Sequence, residues 1–160
     1  MSNIVLISPF SQRLRSGQQN PKNFPHWQEL IVLLKQSGKI DEIWQIGVNN
    51  EYRFEGVTNH IFNKSLPEIA ELANKASVWV SVDNFMPHLC NAYDVNTMGI
   101  VLFSKSDPKH FGYTQNINLL KHPKYLRPDQ FFIWDQCDFN VEAFVDAKTV
   151  YENIMNVLAI

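Results

Sequence analysis

Short apolar runs alternate with amphipathic stretches along the whole chain. Asn3-Ile4-Val5-Leu6-Ile7-Ser8 is a continuous apolar run of the kind buried on both faces of a sheet. The tract from Pro9 to Phe24 is polar, rich in Gln, Ser, Arg and Asn, and predicts a long loop. Loops of that length without regular structure tend to be functional or mobile. With Pro25 as an early helix residue, Leu30, Ile31, Leu33 and Leu34 form a helical apolar face that Gly38 ends. Ile43-Trp44-Gln45-Ile46 reads as a second strand ending at Gly47, and His60-Ile61-Phe62 as a short third after a polar stretch. Ser65-Leu66-Pro67-Glu68 has capping-box spacing and opens a helix running to about Asn74.

Val78-Trp79-Val80-Ser81-Val82 predicts the next strand, which ends at Asp83, turns through Asn84 and enters a helix over about Pro87–Tyr93. A strand over Thr97–Phe103 leads into the turn-rich Ser104-Lys105-Ser106-Asp107-Pro108. Asn116–Leu120 and Phe131–Trp134 are expected as short strands, the second at an edge. Asp146 is placed to cap a last helix over Ala147–Leu158, with Val150, Ile154, Val157 and Leu158 as its apolar face.

Strands alternating with helices predict an α/β fold: a single Rossmann-like domain over residues 1–160, its mostly parallel sheet covered by helices on both faces. In such sheets ligands bind beyond the carboxyl ends of the strands, near the switch in strand order. The loops after Ser8, Ile46, Val82 and Phe103 therefore share one rim. There is no internal repeat or low-complexity tract.

Composition narrows the function classes. The 160 residues are 45% apolar and 19% charged, an ordinary globular profile. The formal charge of −2 gives no bulk electrostatic case for nucleic acid, although Arg13, Arg15 and Lys22 make one loop locally basic. Cys90 and Cys137 lack metal-ligand spacing and are expected as reduced thiols, so no metal or cofactor is expected. With no signal-peptide pattern and no apolar run of the ~20 residues that a span needs, the expectation is a cytoplasmic protein.

The four rim loops carry a coherent set of polar residues. They offer Ser11 and Lys22, then Glu51, then Asp83, Asn84 and His88, then Ser106 and Asp107. A diphosphate wants cations, hydroxyls and unpaired helix N–H groups, and a ribose wants a carboxylate that accepts from both hydroxyls. The set suits a nucleoside diphosphate, with Lys22 and the helix near Asn84 for phosphate and Glu51 for ribose. Each residue also has a plainer reading: Asp83 as a helix cap, His88 as a core histidine, Lys22 as a solvated loop lysine, and Ser106 and Asp107 as a turn.

Five motifs in order give the chain a resemblance to a known family. These are Lys22-Asn23-Phe24-Pro25-His26-Trp27, Gly47 with Glu51, Ser65 to Ala70, Asp83 to Ala92 with His88 inside it, and Ser106-Asp107-Pro108. The chain resembles the C-terminal, donor-binding half of the heptosyltransferase-like glycosyltransferases of GT-B fold, over nearly its full length. The resemblance implies that Lys22 contacts a donor diphosphate and Glu51 its ribose. It places Asp83, Asn84 and His88 around phosphate and transferred sugar, with His88 and Asp83 as the catalytic candidates. Phe85 stands where the family has Gly, and Pro9-Phe10 where its first loop usually has one.

The implied activity is that of a nucleotide-sugar-binding domain of a glycosyltransferase. The acceptor side would come from a partner chain or a second copy, because the general base of the family lies in its other half. The alternatives are a non-catalytic nucleotide- or protein-binding module that retained the fold, or a small self-sufficient transferase with an unusual acceptor.

Overall fold

The computed structural model describes residues 2–129, 134 and 137–160. Six strands form one sheet: β1 (Ile4–Ser8), β2 (Glu42–Gly47), β3 (Asn59–Phe62), β4 (Val78–Val82), β5 (Gly99–Phe103) and β6 (Ile117–Leu120). Their order is β3-β2-β1-β4-β5-β6, and every neighbouring pair is parallel. This is the strand order of a doubly wound Rossmann sheet. The helices are α1 (Trp27–Gln36), α2 (Leu66–Lys75), α3 (Phe85–Ala92), the short α4 (Pro108–Phe111) and α5 (Ala147–Leu158).

Strand side chains alternate between two apolar layers. Val5 and Ile7 of β1 join Val78, Val80 and Val82 of β4 under α1 and α5, where Leu30, Leu34, Val150 and Ile154 meet them. Leu6 and Trp79 point to the opposite face, against Ile69 and Ala73 of α2 and Met86 and Leu89 of α3. Each fully buried aliphatic or aromatic side chain stabilises by roughly 1.5–3 kcal/mol, against roughly 1–2 kcal/mol for ordering one residue of backbone. A central strand in this sheet therefore needs both faces covered. Gly99 is a packing requirement of the second layer, because a Cβ there would overlap the Trp79 indole ring.

Local chemistry sets most element ends. The Ser65 hydroxyl accepts from the Glu68 N–H, and Glu68 reaches back to the Ser65 N–H, completing the expected capping box of α2. The Asp146 carboxylate accepts from the Thr149 N–H and caps α5. Three expectations shift. Pro25 lies outside α1, whose first residue is Trp27 and whose N-cap is His26. α3 begins at Phe85 with Asn84 as its cap, so Pro87 falls in its first turn. The segment after Asp107 closes into α4 where only a turn was expected. The strand expected over Phe131–Trp134 lies outside the described residues except for Trp134. Among the described residues no helix is long and apolar enough to cross a membrane.

Candidate functional site

β1 and β4 are neighbours in the middle of the sheet. The chain leaves β1 toward α1 on one face and leaves β4 toward α3 on the other. The two loops diverge there, at the switch in strand order, where doubly wound sheets hold ligands in a crevice beyond the carboxyl ends of the strands.

Asn84 closes the floor of this crevice. Its side-chain amide donates to Ser8 Oγ at 2.9 Å and to the Phe10 carbonyl at 3.1 Å, tying the end of β1 to the start of α3. Its side-chain oxygen accepts from the Met86 N–H at 2.9 Å. Pro87 has no N–H to offer, so the first turn of α3 presents the amide of Phe85 alone. The Phe85 side chain is 43% exposed on the rim.

Beside Asn84, the Asp83 carboxylate meets the Lys22 ammonium at 3.3 Å. Lys22 also lies 4.3 Å from the centre of the Trp134 ring, and the Arg127 guanidinium lies 3.9 Å from the centre of that ring. Lys22 arrives from a loop that buried polar residues hold in place. The Ser11 N–H donates to Asn23 Oδ1 at 2.8 Å, and the Ser11 hydroxyl donates to the Asp83 carbonyl at 3.1 Å. Asn20 accepts from the Lys22 N–H at 3.0 Å and donates to the Gln12 carbonyl at 2.9 Å. Ser104, at the end of β5, donates to the Pro21 carbonyl at 3.1 Å. Ser11, Asn20, Asn23 and Ser104 are all buried.

Next to this cluster a cleft of about 440 Å³ opens between the loops that follow β1 and β2. Ser11 and Asn23 line it from the Lys22 side, while Glu51, Asn50 and Tyr52 line it from the other. Glu51 is held by its own turn: one carboxylate oxygen accepts from the Val48 N–H at 2.9 Å. A Cβ at position 47 would stand 2.6 Å from that oxygen, which accounts for Gly47. Burial pushes the Glu51 carboxyl above its ordinary value, partly offset by the Val48 N–H. The fully buried Gln45 of β2 shapes the same loop, donating to the Tyr52 carbonyl at 2.6 Å and accepting from the Phe54 N–H at 3.0 Å.

Ser11, Lys22, Asp83 and Asn84 thus meet around one point, and Glu51 shares the adjoining cleft. The remaining sequence candidates stand further along the rim. His88 is exposed on α3, with Nδ1 2.7 Å from the Tyr113 hydroxyl. Ser106 is buried after β5, and Asp107 accepts from the Lys109 N–H at 2.9 Å to cap α4. Sequence reasoning passed over Asn20, Asn23, Gln45, Tyr113 and Arg127. Arg13 and Arg15 are exposed, and of the locally basic loop only Lys22 enters the cluster. Cys90 is buried and Cys137 is half-buried. Among the described residues no group of three or more His, Cys, Asp or Glu side chains is placed to hold a metal ion.

No protein-family model matches the chain, and no curated protein matches its sequence. Solved structures do match its fold. The iron-containing dodecameric glycosyltransferase TibC from enterotoxigenic E. coli superposes with a TM-score of 0.71 at 17% identity, over 99% of this chain and 45% of that one. The E. coli heptosyltransferase WaaC with ADP gives a TM-score of 0.64 at 20% identity, over 98% of this chain and 44% of that one. The chain has a heptosyltransferase-like fold. A glycosyl transferase family 9 protein from Veillonella parvula gives a TM-score of 0.70 at 12% identity, over 99% of this chain and 46% of that one. The chain spans less than half the length of the glycosyltransferases whose structures it matches, and its single doubly wound sheet agrees with the α/β Rossmann-like fold expected from the sequence.

Proposed function

We propose that the chain is the donor-binding half of a nucleotide-sugar-dependent glycosyltransferase. One observation carries the reading: the cleft that Glu51 lines is bounded on its other side by Ser11 and Asn23, and Ser11 bonds to the carbonyl of Asp83, whose carboxylate pairs with Lys22. A donor diphosphate sits against Lys22, and its nucleoside fills the cleft, with ribose hydroxyls donating to Glu51. The Val48 N–H uses one Glu51 oxygen, and the second faces the ligand. Two of the matching structures hold ligands of this chemical class, ADP in WaaC and ADP-D-beta-D-heptose in TibC. The reading also assigns His88, which pairs with the Tyr113 hydroxyl, to stabilising developing charge on the leaving diphosphate.

The reading gives Glu51 and Asp83 to the donor and takes the acceptor side from a partner chain or a second copy. The deciding experiment is calorimetric titration with ADP, GDP, UDP and their sugars. Binding of one of them is expected, weakened at least tenfold in Lys22→Met and in Glu51→Ala. Absence of heat with all of them, with unchanged melting temperature, overturns the reading.

The first turn of α3 favours a second reading, a binding module without transfer. The Asn84 side chain takes one of its amides and Pro87 deletes another, which leaves a poor cradle for a departing phosphate. Sugar transfer or donor hydrolysis by the purified chain, abolished by Lys22→Met, decides against that module.

A further inference from the structure

We infer that Asp83 is a built-in competitor for the anion position on Lys22, an autoinhibitory contact that any phosphate group must break. The inference rests on the reading of Lys22 as the phosphate contact. Three features of the site carry it. First, the Asp83 carboxylate already sits 3.3 Å from the Lys22 ammonium, with side-chain exposures of 20% for Lys22 and 12% for Asp83. Second, α3 offers an arriving anion little compensation, because the Met86 N–H is taken by Asn84 and Pro87 has none. An anion here engages Lys22, and Lys22 is already paired. Third, the contact is built to open. The Asp83 backbone is pinned by the Ser11 hydroxyl, yet among the described residues its carboxylate makes no hydrogen bond or ion pair besides that with Lys22. Rotation of one side chain frees the ammonium without moving the loop. Lys22 meanwhile keeps its place over the Trp134 ring, so the cation is held whether or not Asp83 is attached.

The consequence is counterintuitive for a residue in a ligand loop: neutralising Asp83 tightens phosphate binding. A partly exposed ion pair is worth up to about 1 kcal/mol, so the gain is roughly fivefold.

The test uses inorganic pyrophosphate as probe and the full chain, by calorimetry at low salt with Trp134 fluorescence as a second readout. Asp83→Asn is expected to bind pyrophosphate about fivefold tighter than the unmodified chain, and Lys22→Met to abolish the gain. Asp83→Ser, smaller and also neutral, serves if the Asn variant fails to melt cooperatively. In the unmodified chain the Asp83 carboxyl carbon resonance is expected to move on pyrophosphate saturation as the carboxylate leaves Lys22. Equal or weaker binding by the neutral variants overturns the inference, as does the absence of pyrophosphate binding in all of them, or an Asp83 resonance that stays fixed at saturation. Failure of the donor-binding reading looks different: nucleoside diphosphates and their sugars give no heat with the unmodified chain, whatever pyrophosphate does.

Discussion

Replacing Asn84 tests whether one side chain holds the crevice together. Its amide uses both hydrogens, on Ser8 Oγ and on the Phe10 carbonyl, while its oxygen caps α3 at Met86. Asn84→Ala deletes the cap, at about 1 kcal/mol, and leaves a part-buried carbonyl and hydroxyl without a partner, at roughly 1–3 kcal/mol more. The total is about 2–4 kcal/mol. With a urea slope of roughly 2 kcal/mol/M, the unfolding midpoint falls by about 1–2 M. Asn84→Ser separates the contributions, since a hydroxyl still caps Met86 but does not reach the Phe10 carbonyl; it should recover about 1 kcal/mol of the loss. The assay is equilibrium urea unfolding followed by far-UV circular dichroism, with slopes compared among the three proteins. An Ala variant within about 0.5 kcal/mol of the parent refutes the bridge, a Ser variant as stable as the parent refutes the Phe10 share, and a Ser variant no better than Ala refutes the cap.

Gly99→Ala should destabilise by about 3 kcal/mol or more, because its Cβ overlaps the Trp79 indole inside a closed layer; a melting temperature within a degree or two of the parent contradicts this packing. Asp146→Ala should lose about 1 kcal/mol at neutral pH through the α5 cap. Hydrogen bonds from Thr149 hold the Asp146 carboxyl below its ordinary 3.8, so its stabilisation is complete above that value and fades as pH falls through the lower folded value. Urea midpoints of the parent and the Asp146→Ala variant should therefore differ by a constant amount from pH 7 to about 4 and converge below. The Cys90 thiol, pushed by burial up to about 12, should resist iodoacetamide at pH 8 in the folded protein and react in urea, as peptide mass spectrometry would show.

Elements whose signals are local were legible in the sequence. The α2 capping box and the Asp146 cap of α5 depend on side chains within three residues of the helix start, and the structure has both. The apolar runs gave the strands because both faces of the sheet are covered. Starts that depend on distant partners were less legible. α3 begins earlier than expected because Asn84 is drawn into place by Ser8 and Phe10, more than seventy residues away. α4 is a single four-residue turn, too short to show a periodic pattern. At the candidate site, the polar side chains proposed for ligand contact stood out in the sequence, but not the residues that hold their loops. Asn20, Asn23 and Gln45 are buried amides in polar or strand contexts, and a polar tract reads as solvated whether its amides face water or backbone. Trp134, with Arg127 against its ring, reaches Lys22 from more than a hundred residues away, a pairing that no local pattern encodes.

The loop between β1 and α1 lacks regular structure, yet Ser11, Asn20 and Asn23 fasten it from within and Ser104 from the end of β5. Its ordering entropy is therefore settled during folding and not at encounter. A ligand arriving at Lys22 meets a seat already in position. Its association rate should then follow diffusion and salt concentration, with no slow phase for loop closure.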